Sequence, residues 1–262
     1  MLSLISYLTM IMANALNEGK GTAVTNLSQV PLVYLVEGLL SSVECDQLIE
    51  LGVERLRESQ MGSVAHEATL EAHAASTRSS RSTFFDQPAD EAHPLLVSLR
   101  ERWARIVNQS VTHAEHTQLT KYADGAEYGL HLDASDEVQR TATVITYLND
   151  GFEGGETTFP RIASECAHGS GKSEIMRPLA KLAAAGMLTA ELGKFHRYCT
   201  GERAVLRVSP KKGDSLVFFP MRADGTIEND VVHGGCPVHN GGIKWISQQW
   251  FTLEPQPTRP KY

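Results

Sequence analysis

The stretch that decides the fold is Tyr122-Ala-Asp-Gly-Ala-Glu-Tyr-Gly-Leu-His-Leu-Asp133. Valine, threonine and aromatic residues surround it, and this pattern predicts strands over residues 117–123 and 128–134 with an Asp-Gly turn between them. Because residues two apart on a strand project from the same face, the side chains of His131 and Asp133 reach toward one point. An imidazole and a carboxylate that converge in this way can bind a metal ion. Surface strands also carry such pairs by chance, so the hypothesis depends on residues further along the chain.

Length and composition are typical of a soluble globular protein. At 262 residues, the chain can bury the core of one domain, or of one domain with an insertion. Hydrophobic residues make up 42% of it and charged residues 21%. The net charge of -7, with no dense run of Lys and Arg, argues against a broad nucleic-acid surface, so no nucleic-acid partner is expected. Four cysteines are too few for a disulfide scaffold in a chain of this length.

The two ends of the chain read differently from its middle. Residues 1–13 are apolar, but they lack the basic residues of a signal peptide and are too short to span a bilayer as a helix. No clear membrane segment is therefore predicted; a degraded signal or anchor and a flexible or packed N-terminus both stay open, as do the endoplasmic reticulum or secretory lumen and the cytoplasm. Polar residues 17–29 predict a linker, so the segment 1–29 precedes a domain over residues 30–254, and residues 255–262 form an extended tail.

The order of the predicted elements indicates the fold class. A buried strand is predicted at residues 30–37, followed by helices at about 41–57 and 90–108. The first helix opens with the capping-box signature Ser41-Ser-Val-Glu44. From residue 117 the pattern changes to alternating strands with closely spaced turns. Because this order shows no βαβ alternation, it predicts antiparallel sheets with the helices packed on one side.

Residues 161–204 interrupt the strand pattern and predict an insertion, with one helix over residues 175–192. The insertion carries a set of potential zinc ligands, namely Cys166, His168, His196 and Cys199. These four side chains could hold a tetrahedral zinc ion, although their spacing matches no standard zinc pattern. Two free thiols, or one disulfide, beside surface histidines would also explain them.

Two residues near the C-terminus extend the His131 and Asp133 pair. His233 ends a predicted strand far along the chain, as a third ligand from an adjacent sheet should, and two histidines with one aspartate form the facial triad of non-haem iron(II) oxygenases. The last strand places on one face Lys244, Ile246, Gln248 and Trp250. Because a lysine on an inward face is costly to bury without an anion, Lys244 predicts an acidic ligand. A 2-oxo acid such as 2-oxoglutarate can occupy two iron positions, leave one for O2 and present its distal carboxylate to Lys244.

With these residues in place, the chain resembles the prolyl 4-hydroxylase family of iron(II)- and 2-oxoglutarate-dependent dioxygenases. The resemblance runs from about Pro31 to Phe251, with residues 161–204 outside it. The motifs that carry it are Tyr122, Gly125, Tyr128, His131 and Asp133; Arg140, Thr143 and Tyr147-Leu-Asn149; Gly154-Gly-Glu-Thr-Thr-Phe-Pro160; Pro210, Gly213 and Asp214; His233-Gly-Gly-Cys-Pro-Val238; Lys244-Trp245; and Trp250. Arg78 and Ser80 match the family's Arg-Thr-Ser-Ser segment, which forms part of a substrate-covering loop.

The resemblance implies a fold and an activity. The fold is mainly β with flanking α, a double-stranded β-helix (jelly roll) buttressed by N-terminal helices. The activity is hydroxylation of peptidyl proline, coupled to decarboxylation of 2-oxoglutarate to succinate and CO2. The implied cofactors are Fe(II), 2-oxoglutarate, O2 and L-ascorbate. The implied partner is a proline-containing peptide or protein, and the sequence leaves the oligomeric state open.

The resemblance also assigns site residues position by position. It implies that Fe(II) is bound by His131, Asp133 and His233. It implies that the C5 carboxylate of 2-oxoglutarate is held by Lys244, with help from Tyr122 and Thr157. It implies that the peptidyl-proline site is lined by Tyr128, Arg140 and Trp250, with Arg78 and Ser80 nearby.

Two positions depart from the simplest expectation. Strand alternation places Tyr128 on the face opposite His131, so its implied role requires a bulge or bend. His233 and Lys244 are eleven positions apart, one more than is usual in the family, and a longer hairpin tip at residues 239–242 would absorb the extra residue. A register slip there would turn Lys244 away from the site.

Other functions are compatible with the same pattern. An enzyme of the same chemistry could act on lysine, a free amino acid or a nucleobase, or could be an oxygen-sensing prolyl hydroxylase that modifies one folded partner. A non-catalytic jelly-roll binding module would keep the sheets without the iron, although the complete triad weighs against it.

Overall fold

Two antiparallel sheets face one another in the computed structural model, which describes residues 22–59, 78–164 and 175–256. The major sheet has the spatial order β1 (Val24–Gln29), β2 (Leu32–Val36), β11 (Ser215–Phe218), β7 (Arg140–Tyr147), β14 (Lys244–Thr252), β5 (Gln118–Tyr122), β4 (Arg81–Phe84) and β3 (Arg57–Glu58). The minor sheet has the order β10 (Val205–Val208), β9 (Thr157–Ala163), β12 (His233–Gly235) and β6 (Tyr128–His131). A short pair joins β13 (Val238–His239) to β8 (Glu153–Gly154).

The inner faces of the two sheets form a shared core. Ile145, Phe218 and Ile246 of the major sheet pack in one cluster with Phe159 and Leu206 of the minor sheet. Strands that pair antiparallel and close over a common core in this way form a jelly roll, which confirms the predicted fold.

Helices cover the outer face of the major sheet. They are α1 (Ser42–Gly52), α2 (Pro88–Glu91) and α3 (Pro94–Ile106). Leu48 and Trp103 pack in a second core with Val144 and Phe251 of the sheet. The predicted capping box is present, since the Ser41 side chain accepts from the backbone N–H of Glu44 and the Glu44 carboxylate accepts from the N–H of Ser41. The prediction that the two N-terminal helices at about 41–57 and 90–108 pack on one side of the sheets is confirmed.

Strand β14 has both faces buried, and its alternation decides which side chains reach the inside. Ile246 belongs to the inner core and Phe251 to the core under the helices. Lys244, Gln248 and Trp250 therefore share the inner face with Ile246, as the alternation predicts.

The inserted segment differs from its prediction. Instead of one helix over residues 175–192, the structure has α4 (Leu179–Ala184) and α5 (Leu188–Leu192), followed by α6 (His196–Cys199). The single predicted helix is wrong because Gly186 adopts a left-handed φ of 64° between the first two, which ends one helix and starts a new turn. All three lie against the outer face of the minor sheet.

The N-terminal boundary also differs. Residues 24–29 form β1 and pair antiparallel with β2, so the prediction of a linker through residue 29 is wrong over that stretch. Because β1 lies at the edge of the sheet, it can carry polar side chains, and these weaken the hydrophobic pattern that would have predicted a strand. The predicted apolar segment 1–13 and most of the tail, residues 257–262, lie outside the described residues. Within the described ranges, no helix has the length and apolar character needed to cross a membrane.

Candidate metal centre

Three side chains from two strands and a loop converge on one point. His131 ends β6, Asp133 follows it by two residues, and His233 begins the neighbouring strand β12, directly opposite His131. The His131 Nε2 atom lies 3.7 Å from Asp133 Oδ1, and the His233 Nε2 atom lies 3.9 Å from Asp133 Oδ2. One ligand atom from each of the three residues lies within 4.8 Å of the others. This spacing allows all three side chains to bind a single metal ion from the same side of that ion.

The two histidines are prepared as neutral ligands. Each donates its Nδ1–H to a backbone carbonyl two residues earlier, His131 to Gly129 at 2.8 Å and His233 to Val231 at 3.0 Å. Burial lowers the pKa of His131 to about 3 and also lowers that of His233, so both rings are uncharged near neutral pH. The Nε2 atoms are buried with no hydrogen-bond partner among the described residues. Buried lone pairs that face each other without partners fit a cation.

Asp133 supplies the negative charge of the cluster. Burial alone would raise its pKa, but the Arg140 charge and a hydrogen bond from Thr143 act against burial, and the pKa is lowered. The Thr143 hydroxyl donates to Asp133 Oδ2 at 2.7 Å. The carboxylate is therefore ionised at neutral pH, and one of its oxygens is fixed in place.

A buried lysine lies on the same inner face as the cluster. Lys244 is 2% exposed, pairs in register with Tyr122 of β5, and donates from Nζ to the Gly155 carbonyl at 2.6 Å. Its Nζ also lies 5.2 Å from the ring centre of Tyr122 and 5.8 Å from that of Tyr147. Burial lowers the Lys244 pKa to about 8, against the charge of Glu156, which raises it. The longer hairpin thus leaves Lys244 pointing inward, without a register slip.

Tyr128 lies on the metal side, although strict alternation places it on the opposite face. Its ring stacks on that of His131, with 3.8 Å between the ring centres. The reason is an irregular register between β6 and β12, in which His233 pairs with His131 but Gly235 pairs with Tyr128. Three residue steps on β6, from His131 to Tyr128, lie opposite two steps on β12, from His233 to Gly235. The resulting bulge in β6 rotates the Tyr128 side chain to the inner face. The simple alternation is wrong here, and the bulge that the implied role requires is present.

A cavity of about 330 Å³ opens in front of the cluster. Its base includes His131 and Asp133, and its walls include most residues of the predicted substrate site, namely Arg78, Tyr128, Arg140 and Trp250. Ser80 lies just behind this wall, where its hydroxyl accepts from Arg78 Nε at 3.1 Å and hydrogen-bonds the Tyr122 hydroxyl. Thr157 lies deeper and accepts a hydrogen bond from the Tyr147 hydroxyl at 2.9 Å.

The cavity walls combine cations with aromatic rings. The guanidinium of Arg140 lies 4.1 Å from the ring centre of Trp250, and that of Arg78 lies 4.5 Å from the ring centre of Tyr128. Glu115 fixes Arg140 by accepting two hydrogen bonds, 2.6 Å from Nε and 2.8 Å from Nη2. The cavity wall therefore offers both aromatic surface and hydrogen-bond donors to a bound molecule.

Comparison with known proteins identifies the family. The model of the 2OG-Fe(II) oxygenase superfamily matches residues 117–252, which include the metal cluster and Lys244. The chain belongs to the 2OG-Fe(II) oxygenase superfamily. As a member, the protein is a dioxygenase that uses Fe(II), 2-oxoglutarate and O2.

Relatives of this 2OG-Fe(II) oxygenase carry a narrower name. This chain is 30% identical over 238 residues to prolyl 4-hydroxylase 2 of Arabidopsis thaliana, and the match covers 88% of this chain and 70% of that protein. Prolyl 4-hydroxylase 5 of the same plant is 31% identical over 247 residues, covering 89% of this chain and 73% of its own. These similarities confirm the predicted membership of the prolyl 4-hydroxylase family.

The solved structures agree on the fold. The viral collagen prolyl hydroxylase of Paramecium bursaria Chlorella virus-1, in complex with 2-oxoglutarate, superposes with a TM-score of 0.50 at 22% identity, covering 90% of this chain and 97% of its own. A prolyl hydroxylase of Trichoplax adhaerens, bound to a hypoxia-inducible factor peptide, gives 0.51 at 15% identity, covering 94% and 90%. At these identities the similarity supports the jelly-roll fold alone.

Several residues support the oxygenase site through contacts that the sequence does not predict. Thr143 bonds Asp133, Glu115 holds Arg140, and the carbonyl of Gly155 receives Lys244. Thr143 belongs to the family motif that begins at Arg140, and its hydroxyl could have suggested a hydrogen bond to a metal-binding side chain. Gly155 also lies in a family motif, but nothing in that motif indicates a contact with Lys244, and Glu115 lies outside every motif; both contacts join residues far apart in sequence.

The zinc hypothesis for the insertion is wrong. Cys199 forms a disulfide with Cys236, so its sulfur cannot serve as a zinc thiolate. His196 lies 2.6 Å from a carboxylate oxygen of Glu127. Cys166 and His168 lie outside the described residues. The alternative of a disulfide is correct in kind, but the partner of Cys199 is Cys236 rather than another cysteine of the insertion.

Proposed function

We propose that the protein is a prolyl 4-hydroxylase that acts on proline in peptides, coupled to decarboxylation of 2-oxoglutarate to succinate and CO2. The observation that carries the proposal is the cavity directly above His131 and Asp133, walled by Tyr128, Arg140 and Trp250. The names of the plant relatives support the choice of proline as the target.

His131 and His233 would hold Fe(II) through Nε2, and Asp133 through one carboxylate oxygen. The unpartnered, buried Nε2 atoms and the ionised carboxylate fit this ion. When bound, Fe(II) supplies the redox chemistry, with O2 as oxidant and 2-oxoglutarate as the co-substrate that is decarboxylated. L-Ascorbate would act as the reductant that keeps the iron ferrous. Every other part of the reaction is positioning by the protein.

Lys244 would bind the distal carboxylate of 2-oxoglutarate as a buried, charge-assisted partner, with Tyr122 and Thr157 completing the site. The lysine is 2% exposed, and among the described residues its Nζ donates to the neutral Gly155 carbonyl and has no carboxylate within ion-pair distance. A carboxylate next to Nζ would relieve the cost of burying that charge. Glu156, which is half-buried, does not bond it directly.

The peptide would lie across the cavity, with the proline ring between the Tyr128 and Trp250 side chains. Arg140, fixed by Glu115, can donate its remaining N–H groups to a peptide carbonyl. Arg78 lies at the cavity wall, held by the Ser80 hydroxyl behind it, and would cover the peptide from the side of β4. Such a site would accept a peptide segment, because Arg140 offers hydrogen-bond donors held in place by Glu115.

The test is incubation of proline-rich peptides with the protein, Fe(II), 2-oxoglutarate, O2 and ascorbate. We expect peptides to gain one oxygen at proline C4, detected by mass spectrometry and amino-acid analysis, with stoichiometric succinate. His233→Ala should abolish both products. Succinate release only with lysine, a free amino acid or one folded partner would replace the substrate assignment, and normal turnover by His233→Ala would refute the metal assignment.

A further inference from the structure

The helical insertion covers the reverse side of the two strands that carry the histidines. Leu130 precedes His131 on β6, and Val232 precedes His233; both are 0% exposed. By alternation they point away from the metal cluster. They pack there in one hydrophobic cluster with Leu192 and Phe195 of the insertion. The insertion is therefore the outer layer behind both metal-bearing strands.

One aromatic ring of this layer touches the backbone beside a proposed ligand. A Cβ atom placed on Gly234, the residue after His233, would lie 2.6 Å from Cε2 and 2.9 Å from Cζ of Phe195. Phe195 is itself 4% exposed. The ring thus lies directly against β12 at Gly234, and only a residue without a side chain allows this contact.

Two further links fasten the insertion to the metal-bearing sheet. The Cys199–Cys236 disulfide joins α6 to the segment that follows β12, three residues after His233. The Thr158 hydroxyl of β9 donates to the Tyr198 carbonyl at 3.2 Å, and Thr158 pairs with Gly234 in the sheet. These links and the Phe195 contact all fall within three residues of His233 or on the strand paired with it.

We propose that the helical insertion positions the metal centre, with Phe195 and the Cys199–Cys236 disulfide as positioning residues that fix β12 and therefore His233. This inference rests on the proposed role of His131, Asp133 and His233 as iron ligands. None of the positioning residues touches the metal site. Loosening the insertion lets β12 shift, which changes the distance between the two Nε2 atoms and weakens metal binding without altering any ligand. Reduction of the disulfide to two thiols by a cellular dithiol would have the same effect.

The experiment measures metal affinity directly. The full-length protein, free of metal and in a Cys166→Ser background that prevents alternative pairing, is titrated with Co(II) and followed by calorimetry and by the visible absorption of the bound ion. We expect Cys199→Ser to weaken Co(II) binding by roughly 10-fold, the lower end of the effect of changes around metal ligands, and to alter the absorption bands. The matched control is Cys45→Ser, which changes a buried free cysteine in the core under the helices. It should lower the melting temperature and leave Co(II) affinity unchanged.

A second pair of variants tests the Phe195 contact. Gly234→Ala should weaken Co(II) binding, because its new methyl group meets the Phe195 ring. Adding Phe195→Leu to Gly234→Ala should recover part of the lost affinity by making room. If the insertion affected stability alone, Gly234→Ala would lower the melting temperature and leave Co(II) affinity unchanged, with no lost affinity for Phe195→Leu to recover.

The outcomes separate the two hypotheses. Cys199→Ser and Gly234→Ala proteins that melt earlier but bind Co(II) with the affinity and spectrum of the parent protein would overturn the positioning role and leave the proposed function intact. A parent protein that binds no Co(II), while His233→Ala behaves identically, would overturn the proposed metal site and this inference with it.

Discussion

The ring of Tyr128 stacks on the imidazole of His131 with their centres 3.8 Å apart and an interplanar angle of 18°. The contact joins Tyr128, which lines the proposed substrate site, directly to His131, a proposed metal ligand. Arg78 also packs on the tyrosine, with its guanidinium 4.5 Å from the ring centre. Contacts between a substrate and Tyr128 are therefore coupled, through this stack, to the orientation of the His131 ring.

This stack leads to the first prediction. Tyr128→Leu removes the ring that orients His131, and stacked aromatic pairs contribute about 0.5–1.5 kcal/mol, so metal affinity should fall roughly 2- to 10-fold. Tyr128→Phe keeps the stack and should bind metal as the parent protein does. Calorimetric titration of the metal-free variants with Mn(II) measures the difference. Equal affinities for the leucine and phenylalanine variants would show that the stack does not orient His131.

The hydrogen bond from Thr143 to Asp133 gives a second prediction. Thr143→Val has nearly the same shape but leaves one carboxylate oxygen without its donor. Metal affinity should fall about 10-fold, and the Michaelis constant for peptide should change little, because Thr143 does not line the cavity. Thr141→Val is a suitable control, since Thr141 is on the same strand but donates to the Phe251 carbonyl. Metal titration of both variants checks this, and equal losses would contradict it.

The site could be predicted from the sequence where each signal is local. His131 and Asp133 are two apart in sequence, and although β6 ends at His131, the spacing of two correctly predicts that the two side chains converge. Lys244 could be placed by the same alternation along β14. The meeting of these residues with His233 required family motifs, because nothing local relates residues a hundred positions apart.

Other features could not be predicted because they arise from pairing between distant strands. The bulge in β6 between Tyr128 and His131 depends on the register of β6 against β12. No residue type in either strand predicts it. The pairing of Cys199 with Cys236 depends on the position of α6 over the sheet. β1 is missed because an edge strand can be polar, so the period of two is weak there.

The fixed guanidinium of Arg140 gives a third prediction. Glu115→Gln replaces a charged, two-point hydrogen bond with a weaker one, so Arg140 becomes mobile beside Trp250. The Michaelis constant for peptide should rise several-fold, while metal affinity and the Michaelis constant for 2-oxoglutarate stay the same. Arg140→Lys should behave like Glu115→Gln or worse, because lysine keeps the charge but loses the planar fork. Steady-state kinetics with each substrate varied in turn would detect this, and a rise in the 2-oxoglutarate constant instead would refute the assigned role.

The buried ammonium of Lys244 gives the last prediction, which concerns pH. Burial lowers its pKa to about 8, so in the protein without 2-oxoglutarate the side chain is charged below that pH and neutral above it. Only the charged form attracts a carboxylate strongly, and binding of the anion raises the lysine pKa in return. The dissociation constant for 2-oxoglutarate should therefore be constant at lower pH and increase as the pH rises through about 8, approaching roughly tenfold for each further pH unit. Lys244→Met should bind 2-oxoglutarate weakly at every pH and show no step, which makes it the control. Binding is measured by titration of the Mn(II)-loaded protein, and a step that persists in Lys244→Met would assign the titration to another group.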